Sequence, residues 1–199
     1  MDYSLEQLVN GPAGSHPAVD ALMKLIAGGA EAAFLALVVA WFLVGWLRAQ
    51  WPDRYGSVAA VLAALAALGV NQVLAHIWYR PRPFITHPTV HVLLSRGSDA
   101  SFPSDHAAAA FAISVVALSV RRRLGVALLA LAALVAYARV YVGAHYPADV
   151  VSGALVGLVV ALLLLGPLAM APRALTRFGD TVLVRLHLAP WRGDTPPVA

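Results

Sequence analysis

Five long apolar runs, separated by short polar clusters, set the architecture before any other feature does. They cover approximately residues 30–47, 57–78, 104–120, 124–142 and 148–169, the third being slightly short. Each comes close to the ~20 apolar residues that a helix needs to cross hydrocarbon. No alternation of period two is visible, so no strand is expected. Ahead of the first run, residues 17–27 place Val19, Leu22, Leu25 and Ile26 at helical spacing. That stretch is too short to span, which predicts a separate surface-lying or half-inserted helix. Behind the last run, residues 173–188 carry Leu175, Phe178, Val182 and Leu186 on one stripe, with Arg177 and Arg185 elsewhere. This predicts an interfacial amphipathic helix, followed by a frayed end at Asp194-Thr195-Pro196-Pro197. The expected fold is all-α: a polytopic membrane helical bundle of about five spanning helices, with one short helix before it and one after. Residues 1–172 form the membrane domain and residues 173–199 a cytoplasmic amphipathic tail.

Composition agrees and narrows the classes. The chain has 199 residues, 60% hydrophobic and only 12% charged, which leaves too little polar sequence to cover a soluble domain. Without cysteine, disulfides and thiolate chemistry are excluded. Residues 1–28 open acidic with scattered Gly and Pro, unlike a signal peptide. Trp41, Trp46, Trp51 and Trp78 suit interface anchors. The net charge of +4 does not point to nucleic acid, because the basic residues follow the membrane pattern. One side receives Arg48, Arg54, Arg121, Arg122, Arg123, Arg173, Arg177, Arg185 and Arg192; the other holds Lys24, Arg80, Arg82, Arg96 and Arg139. Nine against five predicts that the first side, with the C-terminus, is cytoplasmic.

The polar clusters then fall on the opposite side. They are Arg80-Pro81-Arg82-Pro83, Ser104-Asp105-His106, and Arg139 followed by His145 and Asp149. Such residues are costly near a bilayer and mark function by default. Prolines hold Arg80 and Arg82 in extended chain, where guanidinium groups can grip an oxyanion; a plain basic membrane anchor is the alternative. Ser104 fits an N-cap, with Asp105 and His106 in the first turn of a helix whose free amides form an anion site. Capping alone would not need His106. Pro147 suits the first turn of the last span, so Asp149 can reach back four residues to His145 and fix its tautomer. A structural Arg–Asp pair beside an incidental histidine is the blander alternative. Arginines, two histidines and an orienting carboxylate together suggest phosphoryl chemistry.

The three clusters resemble the motifs of the type-2 phosphatidic-acid phosphatase superfamily. Those motifs are a lysine, six residues, then Arg-Pro; Pro-Ser-Gly-His; and Ser-Arg, five residues, His, three residues, Asp. This chain has Arg82-Pro83, Pro103-Ser104-Asp105-His106, and Ala138-Arg139 with His145 and Asp149 at the same spacings. The resemblance implies metal-independent hydrolysis with no cofactor. His145 would attack phosphorus, His106 would protonate the leaving oxygen, and Asp149 would orient His145. Arg82, Arg139, Ser104, the Asp105 amide and Arg80 would hold phosphoryl oxygens. Three positions depart from the pattern. Ala75 replaces the lysine, with His76, Arg80 or Asn71 as candidate substitutes; Asp105 replaces glycine, so its carboxylate must turn away or find a separate partner; Ala138 replaces serine.

The Arg-Pro-Arg-Pro-Phe and Phe-Pro-Ser-Asp-His forms look most like the bacitracin-resistance type of undecaprenyl-pyrophosphate phosphatase. The implied substrate is an isoprenoid diphosphate lipid, converted to the monophosphate at the outer face of a bacterial plasma membrane, which recycles the carrier of cell-wall synthesis. The implied partners are that substrate and the membrane lipids. A phosphatidate or phosphatidylglycerophosphate phosphatase is the alternative on the same machinery, and a non-hydrolytic lipid-phosphate carrier the alternative of another class. A carrier has no use for the His145–Asp149 spacing. A channel is disfavoured because the charges gather at one face, and a haloperoxidase because those relatives are soluble. Loop residues His87, His91, Arg96 and Asp99 lie on the site's side, where they are expected to contact the headgroup, to cover the site, or to stand as plain solvated loop positions.

Overall fold

The computed structural model describes residues 1–94, 97, 99–186 and 188. Arg96, Arg192 and the 194–197 end lie outside the described residues. Among the described residues the chain forms eight helices and no strand. These are α1 (Asp2–Asn10), α2 (Pro17–Leu47), α3 (Trp51–Ile77), α4 (Pro83–Thr86), α5 (Asp105–Val120), α6 (Arg122–Tyr141), α7 (Pro147–Leu165) and α8 (Met170–Arg185). Proline occupies the first turn of α2, α3, α4 and α7, where its missing N–H costs nothing. Four helices, α2, α3, α6 and α7, are long and apolar enough to cross a membrane. Their outward side chains include Leu35, Leu65, Val73, Leu155 and Leu162, all at least 54% exposed, which only a lipid solvent accommodates at this density.

The fifth apolar helix, α5, has 16 residues and is about 24 Å long, short of the ~30 Å hydrocarbon core. It needs no greater length because it is enclosed, packing against α7, α6 and α3. Ala107, Ala108, Ala112, Val116 and Ala117 are fully buried on it. Two glycines on α7 allow this approach. A Cβ on Gly153 would overlap the Ser104 carbonyl oxygen, and one on Gly157 would overlap that of Ala108. Four residues apart, they form the small-residue face on which membrane helices touch backbone to backbone.

The N-terminal region differs from the sequence expectation. Residues 17–27 are not a separate helix but the first three turns of the 31-residue α2, about 46 Å long. Gly28 and Gly29 do not interrupt it, because Ala27 and Ala30 are buried on either side of them, Ala27 with Ala138, Tyr141 and Val142. The short helix that does precede the bundle is α1, and it packs with its polar side inward against α6 and α7. Asn10 Nδ2 donates to the carbonyls of His91 and Tyr141, both at 2.8 Å. Asp2 accepts from the Ala148 amide in the first turn of α7 at 3.0 Å. Glu6, between them, is fully buried with both carboxyl oxygens unpartnered.

At the far end of the bundle Asp53 accepts from Trp41 Nε1 at 2.9 Å and from Arg121 Nε at 2.7 Å. Arg54 pairs there with Asp180 of α8 at 2.9 Å. Arg54 lies in the first turn of the 27-residue α3 and Arg82 beyond its last, so these two arginines sit at opposite ends of that helix. On α8, Pro172 and Thr176 face the protein, while Leu175, Phe178 and Val182, with Leu186 just past its end, remain exposed, the arrangement of a helix lying at an interface.

Two outcomes follow for stability. Gly153→Val is expected to cost about 1–3 kcal/mol through overpacking, read as a lower unfolding midpoint in detergent. Burial raises the Glu6 carboxyl from 4.5 to about 7. A raised acid stabilises below its unfolded pKa and loses that contribution as pH climbs through about 4.5 to 7. Glu6→Gln is therefore expected to raise the midpoint more at pH 8 than at pH 5, by an effect of up to about 3 kcal/mol.

Candidate active site

His145 sits in the turn between α6 and α7, 2% exposed. The turn is made by Gly143 at φ +77, whose Cβ would also press on the His91 carbonyl, and by the Ala144 amide bonding back to the Arg139 carbonyl at 3.1 Å. His145 Nδ1 lies 2.8 Å from the Ser101 carbonyl oxygen. A carbonyl only accepts, so Nδ1 carries the proton and Nε2 presents its lone pair. That lone pair meets Arg139 Nη2 at 3.3 Å and Arg82 Nη1 at 3.5 Å. Burial first, then the charges of Arg139 and Arg82, hold the imidazole well below its ordinary pKa. The ring is thus a neutral acceptor between two cations.

Both guanidiniums are buried and incompletely satisfied. Arg82 Nη1 donates to the Ala144 carbonyl at 2.9 Å and Nη2 to Asp99 at 2.8 Å. Burial opposes the charge of Asp99, but the hydrogen bond and charge of Arg82 hold its carboxyl below the usual range. Arg139 Nη1 reaches the Ala27 carbonyl at 3.5 Å. Arg82 Nε, Arg139 Nε and the Ser104 hydroxyl are buried without a partner. Orphaned donors of this kind call for an explanation, and an anion supplies one. Arg82, Arg139 and His106 line one cavity of about 350 Å³, together with Phe84, Val92 and Leu94.

Asp149 is fully buried in the first turn of α7, but it does not bond His145 directly as the four-residue spacing predicts; the closest approach to Nδ1 is 3.9 Å. It binds the Tyr146 amide at 2.9 Å, Arg80 Nη1 at 2.8 Å and the Ser101 hydroxyl. Ser101 therefore stands between the two, its hydroxyl on Asp149 and its carbonyl on His145. The Ser104 amide donates to the Asp149 carbonyl at 3.0 Å, tying the start of α5 to the start of α7.

Other positions also differ from expectation. Ser104 occupies the N-cap place of α5, yet its hydroxyl makes no capping bond. Arg80 does not face the cavity: Asp149 and Asp2 hold its two Nη atoms, and its guanidinium stacks 3.8 Å over the Tyr146 ring. Burial opposes its charge, but the two carboxylates outweigh it and raise its pKa. Asp105 turns to α3, accepting from Asn71 Nδ2 at 2.8 Å and Gln72 Nε2 at 3.3 Å. His76 is exposed and its Nδ1 bonds the Gln72 carbonyl at 2.7 Å within its own helix, so it does not take the missing lysine's place. Asn71 gives its Nδ2 to Asp105, while its Oδ1 is buried without a partner. His87 stacks on Tyr3 at 3.6 Å.

Two residues escaped the sequence reading. Ser101 acts partly through its carbonyl, which no residue type advertises. Glu31 of α2 brings Oε1 to 3.3 Å from His106 Nε2. Its signal was present, since an ionisable residue inside an apolar span is a functional candidate by default.

An apolar helical bundle that buries two guanidiniums around a neutral imidazole is a membrane protein built to engage an anion. The chain belongs to the PAP2 superfamily, which residues 56–169 match, and is a membrane phosphatase of that family. It is 32% identical over 163 residues to the undecaprenyl-diphosphatase BcrC of Bacillus subtilis strain 168, covering 82% of each chain. Among solved structures it resembles Aquifex aeolicus LpxE, with a TM-score of 0.69 and 25% identity over 82% of this chain and 94% of that one. The fold also matches a transmembrane PAP2-type phosphatidylglycerolphosphate phosphatase from Bacillus subtilis, with a TM-score of 0.65, 23% identity and 83% of each chain covered.

The state of His145 is directly measurable. Its lowered pKa means that it stays neutral as pH falls through 6.5, where a free imidazole is half protonated. Nitrogen-15 NMR of histidine-labelled protein is expected to show a neutral Nδ1–H ring signal at pH 6.5 that disappears in His145→Ala.

Proposed function

We propose that this protein hydrolyses undecaprenyl pyrophosphate to undecaprenyl phosphate and inorganic phosphate through a phosphohistidine on His145. The observation that carries the reading is the buried Nε2 lone pair, flanked by Arg139 and Arg82, with the Nε of each arginine unpartnered. A nucleophile with donors around its target position is what phosphoryl transfer needs, because charge on the three equatorial oxygens must be held while little else is done. The identity to a Bacillus subtilis undecaprenyl-diphosphatase supports the substrate.

In the first step Nε2 forms a bond to the terminal phosphorus as the bond to the bridging oxygen breaks. His106 gives its proton to that oxygen, and the prenyl monophosphate leaves. In the second step water attacks the phosphohistidine, His106 takes the proton, and the N–P bond breaks to free phosphate and neutral His145. Arg82, Arg139 and Ser104 hold the phosphoryl oxygens, the substrate displacing Asp99 from Arg82. Asp149 acts through Ser101, keeping Nδ1 the protonated nitrogen so that Nε2 remains nucleophilic. The prenyl tail stays in lipid, so the cavity needs to hold only the headgroup.

The excess of basic residues at the far end of the bundle supports a site on the extracytoplasmic face of a bacterial plasma membrane. It equally supports a cytoplasmic α8 and tail over residues 173–199.

The test is phosphate release by detergent-purified protein, with EDTA present, on undecaprenyl pyrophosphate and phosphatidic acid side by side. Faster release from the prenyl substrate is expected, with a loss of roughly a thousandfold or more in His145→Ala at unchanged folding. Preference for phosphatidic acid would move the protein to phospholipid metabolism. No release from either would favour a lipid-phosphate carrier.

A further inference from the structure

We propose that Glu31 is a positioning residue for His106, holding the ring and its charge ready for proton donation. The inference rests on the His106 role given above and adds a residue outside the three clusters. Glu31 is the one ionisable side chain in the apolar stretch 30–47, where a charge is expensive. It contributes nothing evident to packing, since its side chain is 78% exposed. It follows Gly28 by one turn on α2, and Gly28 lines the cavity that His106, Arg82 and Arg139 share. Its Oε1 lies 3.3 Å from His106 Nε2.

The surrounding charges explain why such a residue is needed. A general acid at this place must carry a proton while facing two guanidiniums across the same cavity. Of the other nearby carboxylates, Asp149 is committed to Ser101, Tyr146 and Arg80, and Asp105 to Asn71 and Gln72. Asp99 pairs with Arg82 until the substrate displaces it, and makes no contact with the His106 ring as close as that of Glu31. Glu31 supplies the opposite charge to His106 and fixes its rotation about the side chain. It stays a carboxylate in both steps. His106 passes its proton to the leaving oxygen in the first step and regains one from water in the second, with Glu31 stabilising the protonated ring at the start and end.

The experiment compares p-nitrophenyl phosphate with phenyl phosphate, substrates alike in size whose leaving oxygens differ in their need for a proton. Parent protein, Glu31→Gln, Glu31→Asp, His106→Ala and His145→Ala are measured together in detergent. Glu31→Gln is expected to lose about tenfold more kcat on phenyl phosphate than on p-nitrophenyl phosphate, in the same direction as His106→Ala. Its KM should stay within about threefold of the parent, and Glu31→Asp should recover part of the loss, as a positioning role requires. An equal loss of Glu31→Gln on both substrates, or none, with His106→Ala still sensitive to the leaving group, overturns the role of Glu31 alone. Loss of that sensitivity in His106→Ala, or activity in His145→Ala, overturns the underlying reading and Glu31's role with it.

Discussion

Everything at the site end depends on how closely α5 and α7 approach. Gly153 and Gly157 let the carbonyls of Ser104 and Ala108 rest directly on α7, and the Ser104 amide closes the contact on the Asp149 carbonyl. That seam sets the spacing between two groups of residues far apart in sequence: Ser101, Ser104 and His106 on one side, His145 and Asp149 on the other. Because membrane helices gain little from hydrophobic association in lipid, such backbone proximity is the available means of holding two helices at one distance. A side chain's width there would separate the Ser101 carbonyl from the imidazole it orients.

On that frame the charges are arranged as a set rather than as pairs. Burying two guanidiniums beside a histidine would be ruinous if their hydrogen bonds were left wholly open, and part of each fork is answered by backbone carbonyls of Ala144 and Ala27. What remains open is directed at the imidazole or unpartnered. The opposite end follows the other logic: Asp53 is taken up by Trp41 and Arg121, and Arg54 by Asp180, leaving a closed network suited to anchoring. The carboxylates and guanidiniums of that network answer one another, whereas the arginines at the site end keep donors open.

Much of this could be read from the chain. Spanning helices declare themselves by length and apolarity, and the motif spacings brought Arg82, Arg139, His106 and His145 to one place. The parts that could not be read have specific causes. Arg80 and Arg82 differ by two residues and look equivalent; only the arrival of Asp2 and Tyr146 assigns the first to bracing. The 3.9 Å gap between Asp149 and His145 reflects an intervening carbonyl, which sequence spacing does not register. Gly28-Gly29 argues for a break in α2 that neighbouring alanine packing overrides. In α1 the polar residues Asp2, Glu6 and Asn10 point inward, the reverse of the usual amphipathic rule.

The Asp2 contact with the Ala148 amide also carries a consequence for biosynthesis. The two residues are separated by 146 positions, so α1 must wait until α7 has begun to emerge before it makes this contact. Until then Arg80 lacks Asp149 as well as a placed Asp2, and the segment carrying it is unbraced. Assembly of the site end is thereby ordered in time: the contacts of α1 with α7 form only after α7 has been made.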